Sequence, residues 1–194
     1  KGISLILAVE NGQPAQYLYF GSKLNAADLQ NLTVATNGRM DAYPAYGLNT
    51  PAEAALAMRH SDGNLSTALV ATGSDVKQEA NATVTTIHLK DPVYNIKVDL
   101  KYRAYKDVDM IEAWTEIHNG EKGTVTLTTF ASAMLPIRRG DVWMSHLSGT
   151  WAAEAQLSHE KLQPGEFVIC NNDGVRNSHT DHAEVMFSLN GKGL

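Results

Sequence analysis

The sequence predicts an all-β sandwich with few short helices. The clearest reason is strict alternation: Tyr94, Ile96, Val98, Leu100, Tyr102 and Ala104 are interleaved with Asn95, Lys97, Asp99, Lys101 and Arg103. A period of two puts every apolar side chain on one face of a strand, and no helix would keep that set together. The second reason is punctuation, since Asn-Gly, Asp-Pro, Pro-Gly and Asp-Gly pairs recur at short spacing. The third is the scarcity of helix signals. Many short strands with turns between them read as a sandwich, larger than an immunoglobulin domain. With no linker, repeat or low-complexity tract, residues 1–194 read as one domain.

In chain order, Ser4 to Val9 and Gln16 to Phe20 flank a turn at Asn11-Gly12. Asn25 is placed to cap a short helical turn through Ala26, Ala27, Asp28 and Leu29. Thr83 to Leu89 reads as a strand ending at Asp91-Pro92, and Val93 to Tyr105 as the next. The polar partners in that strand show that its second face meets water, as in antiparallel sheets. Met110 to His118 follows and stops at Asn119-Gly120, where both residues tolerate positive φ. Thr124 to Leu135 sets Val125, Leu127, Thr129, Ala131, Ala133 and Leu135 on one face. The run VWMSHLSGTW places Trp143 and Trp151 on either side of an expected Ser148-Gly149 turn. Trp151 to Lys161 fits either a helix, by its Ala, Glu, Gln and Leu content, or a strand, by the spacing of Leu157 and His159. Phe167 to Cys170 and Glu184 to Leu189 read as the last strands.

Composition bounds function. Of 194 residues, 43% are apolar and 19% charged, which supports a core and argues against disorder. The net charge of −5 and the lack of a basic patch argue against nucleic acid as a partner. No apolar run approaches the roughly 18 residues of a membrane-spanning helix. Cys170 is the only cysteine, so neither an internal disulfide nor a thiolate metal site is expected.

The candidate chemistry is thin. His179-Thr180-Asp181-His182 is the densest histidine cluster, and His179 and Asp181 would share a strand face. Its spacing lacks a third and fourth ligand, so the expectation is a polar loop and no metal. There is no Gly-x-Ser-x-Gly elbow and no phosphate-binding glycine loop, and no cofactor is expected. Glycoside hydrolysis needs paired carboxylates. Asp107, Asp109, Glu112 and Glu116 are candidates, but a solvated strand face explains them more simply. Aromatic faces suit sugar rings, which draws attention to Trp143, Trp151 and the Tyr43 to Tyr46 stretch. Trp114 and Trp151 are expected in the core, where large aromatics usually belong. These residues alone describe a binding or structural module, or a piece of an enzyme.

The order of short motifs resembles the N-terminal domain of glycoside hydrolase family 36, the α-galactosidases. The matching pieces are Tyr17-Leu18-Tyr19-Phe20-Gly21, Tyr43-Pro44-Ala45-Tyr46-Gly47, Ser61-Asp62-Gly63, Leu89-Lys90-Asp91-Pro92-Val93, Asp109-Met110-Ile111-Glu112, Leu147-Ser148-Gly149-Thr150-Trp151, Leu162-Gln163-Pro164-Gly165 and Ser178-His179. The resemblance implies a β-supersandwich of two large antiparallel sheets, and favours strand for Trp151 to Lys161. It implies a complete chain several times longer, in which this domain packs on a catalytic (β/α)8 barrel and shapes the pocket for an α-galactoside. The two catalytic aspartates would lie in that barrel, so no catalytic residue is expected here. A barrel needs roughly 250 residues.

The family's Asp-Phe-Arg stretch, whose loop approaches the sugar and in some members reaches a neighbouring subunit of a homo-oligomer, reads here Leu48-Asn49-Thr50-Pro51-Ala52-Glu53. The Asp position falls on Thr50 and the Arg position on Ala52. Asn49 and Thr50 are therefore the candidate substrate-binding residues, as neutral hydrogen-bonding groups; the competing expectation is a plain turn held by Pro51. The alternatives within reach are an α-N-acetylgalactosaminidase domain and a free-standing carbohydrate-binding sandwich.

Overall fold

The computed structural model describes residues 1–36, 40–47, 53–137, 140–171, 180–189 and 191. The chain divides into two compact units, Lys1–Pro136 and Ile137–Leu194. The described residues are all-β apart from one 3-10 turn, as expected.

The first unit holds strands β1 (Ile3–Ala8), β2 (Gln16–Ser22), β3 (Leu56–Arg59), β4 (Val70–Gln78), β5 (Ala82–Lys90), β6 (Ile96–Tyr105), β7 (Ile111–Asn119) and β8 (Thr126–Phe130). They pair antiparallel as β1-β2, β3-β8 and β4-β5-β6-β7. The alternation in β6 does what a period of two requires. Ile96, Val98, Leu100 and Tyr102 are buried, and their cross-strand partners include Leu89 and Ile87 on β5 and Ile117 and Ala113 on β7. This face meets Leu56 and Met58 of β3, with Leu69, Tyr17 and Tyr43, in one core. Each fully buried Leu, Ile, Val or Met there contributes about 1.5–3 kcal/mol. The Tyr17 and Tyr102 hydroxyls meet at 3.0 Å inside it. That bond satisfies two polar groups that burial would otherwise penalise, and burial pushes both phenols up, Tyr102 the further.

The Asn11-Gly12 turn forms as read, with Gly12 at φ +82°. A short helical turn does form here, but two residues later than expected and with Ala27, not Asn25, at its N-cap: Asn25 Oδ1 accepts from the Ala27 and Asp28 amides just ahead of it, and Asp28 Oδ2 accepts from Asn25 N–H. That 3-10 turn is Asp28–Asn31.

Several boundaries differ from the sequence reading. Val93 and Tyr94 are outside β6, because Asp91 Oδ1 accepts both of their amides, at 2.7 and 2.9 Å, and closes a turn. The stretch 124–135 contributes only Thr126–Phe130 to a strand, since its partner β3 is four residues long. Strand β4 has no clean alternation in the sequence, because Gly73, at φ +149°, breaks its pattern at a register shift.

The second unit holds β9 (Val142–Thr150), β10 (Ala153–Lys161) and β11 (Asp181–Leu189) in the order β10-β9-β11. Ser148 and Gly149 lie inside β9 rather than at a turn, and the reversal comes at Trp151-Ala152. The stretch after Trp151 is a strand, not a helix. Phe167 to Cys170 joins no strand ladder among the described residues. Trp151 is 81% exposed, which corrects its placement in the core. A side chain at the tip of a two-residue reversal has no sheet beneath it. Trp114 is half-buried on the outer face of β7, under the Arg103 guanidinium at 5.1 Å, so it too is outside the core cluster.

Candidate functional site

The motif Tyr43-Pro44-Ala45-Tyr46-Gly47 builds the base of a loop. Tyr43 is buried and its hydroxyl donates to Ala131 O at 2.7 Å. Ala45 forms a parallel bridge with Leu56. Tyr46 N–H donates to Leu56 O at 2.8 Å, and Ala55 N–H donates to Pro44 O at 2.7 Å. The chain thus leaves at Gly47 and returns beside its point of departure. Gly47 has φ +122°, and a Cβ there would stand 2.6 Å from the Thr67 amide nitrogen. Only glycine fits both the conformation and the space. Tyr46 is 56% exposed at this base. The candidate sugar contacts Asn49 and Thr50 lie between these anchors and outside the described residues.

The base is braced by a network the sequence did not reveal. Tyr46 O accepts from Thr67 N–H at 2.7 Å. The Thr67 hydroxyl is 2.9 Å from His60 Nε2, and His60 Nδ1 is 2.7 Å from Glu121 Oε1. His60 has no exposed side-chain surface, and its ring stacks on Tyr94 at 3.6 Å. Glu121 also accepts from Ser61 N–H and Oγ–H. The bond to His60, followed by those from Ser61, holds the Glu121 carboxyl below the usual carboxylate range. Tyr94 in turn donates to Asp62 and accepts from Asn64. The only sequence trace of this network was the Ser61-Asp62-Gly63 turn; His60 and Glu121 are 61 residues apart and carried no motif.

Of the four candidate glycosidic carboxylates, Asp109, Glu112 and Glu116 are engaged on surfaces. Glu112 accepts from Arg103 at 2.6 Å and Glu116 from Lys101 at 2.8 Å, while Asp109 accepts from the Gly2 amide. Lys101 first, then Trp114, lowers the Glu116 carboxyl. On the same outer face, His88 lies between Asp75 at 2.9 Å and Asp99 at 2.7 Å, and these two bonds raise its pKa. Asp99, Glu116 and His118 bring ligand-capable atoms within 4.8 Å of one another. His88 already holds Asp99 and Lys101 holds Glu116, so a row of ion pairs across four strands accounts for the grouping. His179 lies outside the described residues. Its neighbours diverge: Asp181 lies 3.9 Å from His146 Nε2, whereas His182 lies 3.6 Å from Glu184.

A cleft of about 480 Å³ opens between β1 and the inner face of the four-stranded sheet. Its walls include Leu5, Leu7, Ile87, Tyr102 and Ile111, and none of its lining residues is a carboxylate, imidazole or amine. It can hold apolar groups but has no acid–base pair.

The sequence model of the glycosyl hydrolase family 36 N-terminal domain matches residues 13–193. The chain belongs to this family. Relatives with similar sequence include α-galactosidase 2 of Pediococcus pentosaceus, 30% identical over 90 residues, and the probable α-galactosidase C of Aspergillus terreus, 29% identical over 87 residues. Those alignments cover 46% and 45% of this chain and 12% of each relative. A variant of the family 36 α-galactosidase AgaA of Geobacillus stearothermophilus, solved with stachyose, shares the fold at a TM-score of 0.87 and 17% identity. That match covers 97% of this domain and 31% of the solved chain. The family 36 domain thus spans under a third of the solved enzyme's length.

Proposed function

We propose that this chain is the N-terminal accessory domain of an α-galactosidase that removes terminal α-linked galactose from raffinose-type oligosaccharides. The family match over residues 13–193 carries this reading. The site geometry agrees with it, because the carboxylates Asp109, Glu112 and Glu116 are tied to surface partners and the described cleft is apolar. Retaining hydrolysis needs two carboxyl groups about 5 Å apart, one as nucleophile and one as acid/base. A downstream (β/α)8 barrel supplies them at the C-terminal ends of its strands. The domain packs on that barrel and, through the braced Tyr46-Gly47 base, presents Asn49 and Thr50 to the sugar. These two neutral side chains offer hydrogen bonds in place of a charged contact. The test is galactose release from an aryl α-galactoside by the full gene product and by the 194-residue chain. The expected result is turnover by the first alone. Turnover by the second, or by neither, overturns the proposal.

A further inference from the structure

The outer face of the four-stranded sheet gathers imidazoles and carboxylates that no single stretch of sequence brings together. The register sets His88 of β5, Asp99 of β6 and Glu116 of β7 opposite one another in one row. His118 lies two residues beyond Glu116 on β7 and shares its face. Asp99, Glu116 and His118 each offer one ligand atom, and these atoms lie within 4.8 Å of one another.

The ion pairs along this row explain why the charges gather, but they engage one oxygen of each carboxylate. Asp99 Oδ1 meets His88 Nδ1 at 2.7 Å, and Glu116 Oε1 accepts from Lys101 at 2.8 Å. Asp99 Oδ2 instead faces His118 Nε2 at 3.6 Å. That is too long for a hydrogen bond. It is close to the spacing of two ligands on one tetrahedral ion, since bonds of about 2.0–2.2 Å to Zn²⁺ set neighbouring donors about 3.4 Å apart. Metal ligands are oriented by hydrogen bonds from outside the ligand set. Here His88 orients Asp99, and Lys101 orients Glu116. Lys97 stands opposite His118 but is exposed, so its ammonium extends into solvent. Imidazole nitrogen suits Zn²⁺, whereas Ca²⁺ and Mg²⁺ prefer oxygen alone.

We propose that Asp99, Glu116 and His118 bind one Zn²⁺ on the outer face of the sheet, bridging β6 and β7. Three protein ligands leave the fourth tetrahedral position to water or to an incoming donor. The ion displaces neither the His88 nor the Lys101 contact, because each uses the other oxygen of its carboxylate.

The test is isothermal titration calorimetry with Zn²⁺, and with Ca²⁺ for comparison, on the untagged 194-residue chain near neutral pH, beside His118→Ala and Asp99→Asn. The His118 side chain is 55% exposed, so its removal spares the fold. The expected result is one Zn²⁺ bound per wild-type chain, more tightly than Ca²⁺, with affinity about tenfold or more weaker in each variant. The thermal midpoint should also rise with Zn²⁺ in wild type and not in His118→Ala. Absence of Zn²⁺ binding, equal affinity in wild type and His118→Ala, or Ca²⁺ held as tightly as Zn²⁺ overturns the proposal.

Discussion

Replacing Glu121 by Ala removes three hydrogen bonds: one to His60 Nδ1 at 2.7 Å and two to Ser61, at 3.1 and 2.7 Å. The Ser61 groups are exposed, so water replaces the carboxylate there at little cost. His60 is fully buried, and its ring nitrogen keeps no partner on that side. An orphaned buried polar group costs about 1–3 kcal/mol. Adding a few tenths for Ser61, Glu121→Ala should destabilise the first unit by about 2 kcal/mol, or roughly 6–10 °C in thermal midpoint. Urea unfolding followed by far-ultraviolet circular dichroism measures this. The sign with pH is fixed as well. The Glu121 carboxyl is held below its unfolded value of about 4.3, so its stabilisation is present above that pH. It is lost as pH falls through the folded value, and the gap between wild type and variant should close in acid. Glu121→Leu combined with His60→Phe should recover part of the loss, since both polar partners are then gone. A Glu121→Ala protein within about 0.5 kcal/mol of wild type at neutral pH would refute the role of the network.

Gly47→Ala should cost about 2 kcal/mol or more, from positive φ and from the Thr67 backbone 2.6 Å away; an unchanged urea midpoint would contradict this backbone path. Trp151→Ala should change stability by less than about 0.5 kcal/mol, because the side chain is 81% exposed; a loss above about 1 kcal/mol would return Trp151 to a core. His88 has a folded pKa above its unfolded value of about 6.5, so its ion pairs with Asp75 and Asp99 stabilise fully below that pH and fade as pH rises through the folded value. Urea midpoints measured from pH 5.5 to pH 9 should therefore slope downward in wild type and less so in His88→Gln; parallel slopes would remove His88 from the account.

Much of the fold was legible because a half-buried strand leaves a local record. The β6 alternation fixed which face is core, Asn11-Gly12 marked a turn, and Asn25 marked the approach to a short helical turn. Where the record misled, a distant partner decided. Strand β8 ends where the four residues of β3 end. Gly149 reads as a turn residue but pairs within β9, and Trp151 reads as core but sits on the reversal. For the candidate site, the Tyr43 to Gly47 motif was visible as a motif, whereas its brace was not. His60, Thr67 and Glu121 meet only through the packing of separate segments, and no spacing rule predicts a contact across 61 residues.

By itself, the sequence determined the all-β class, the charged outer and apolar inner faces of the central sheet, and the family, because periodicity and ordered motifs are written residue by residue. The tertiary structure alone decided which strands are edges, which aromatics are buried and which buried histidine supports the loop base. Those are properties of neighbours brought together by folding, and neighbours far apart in the chain leave no local signal.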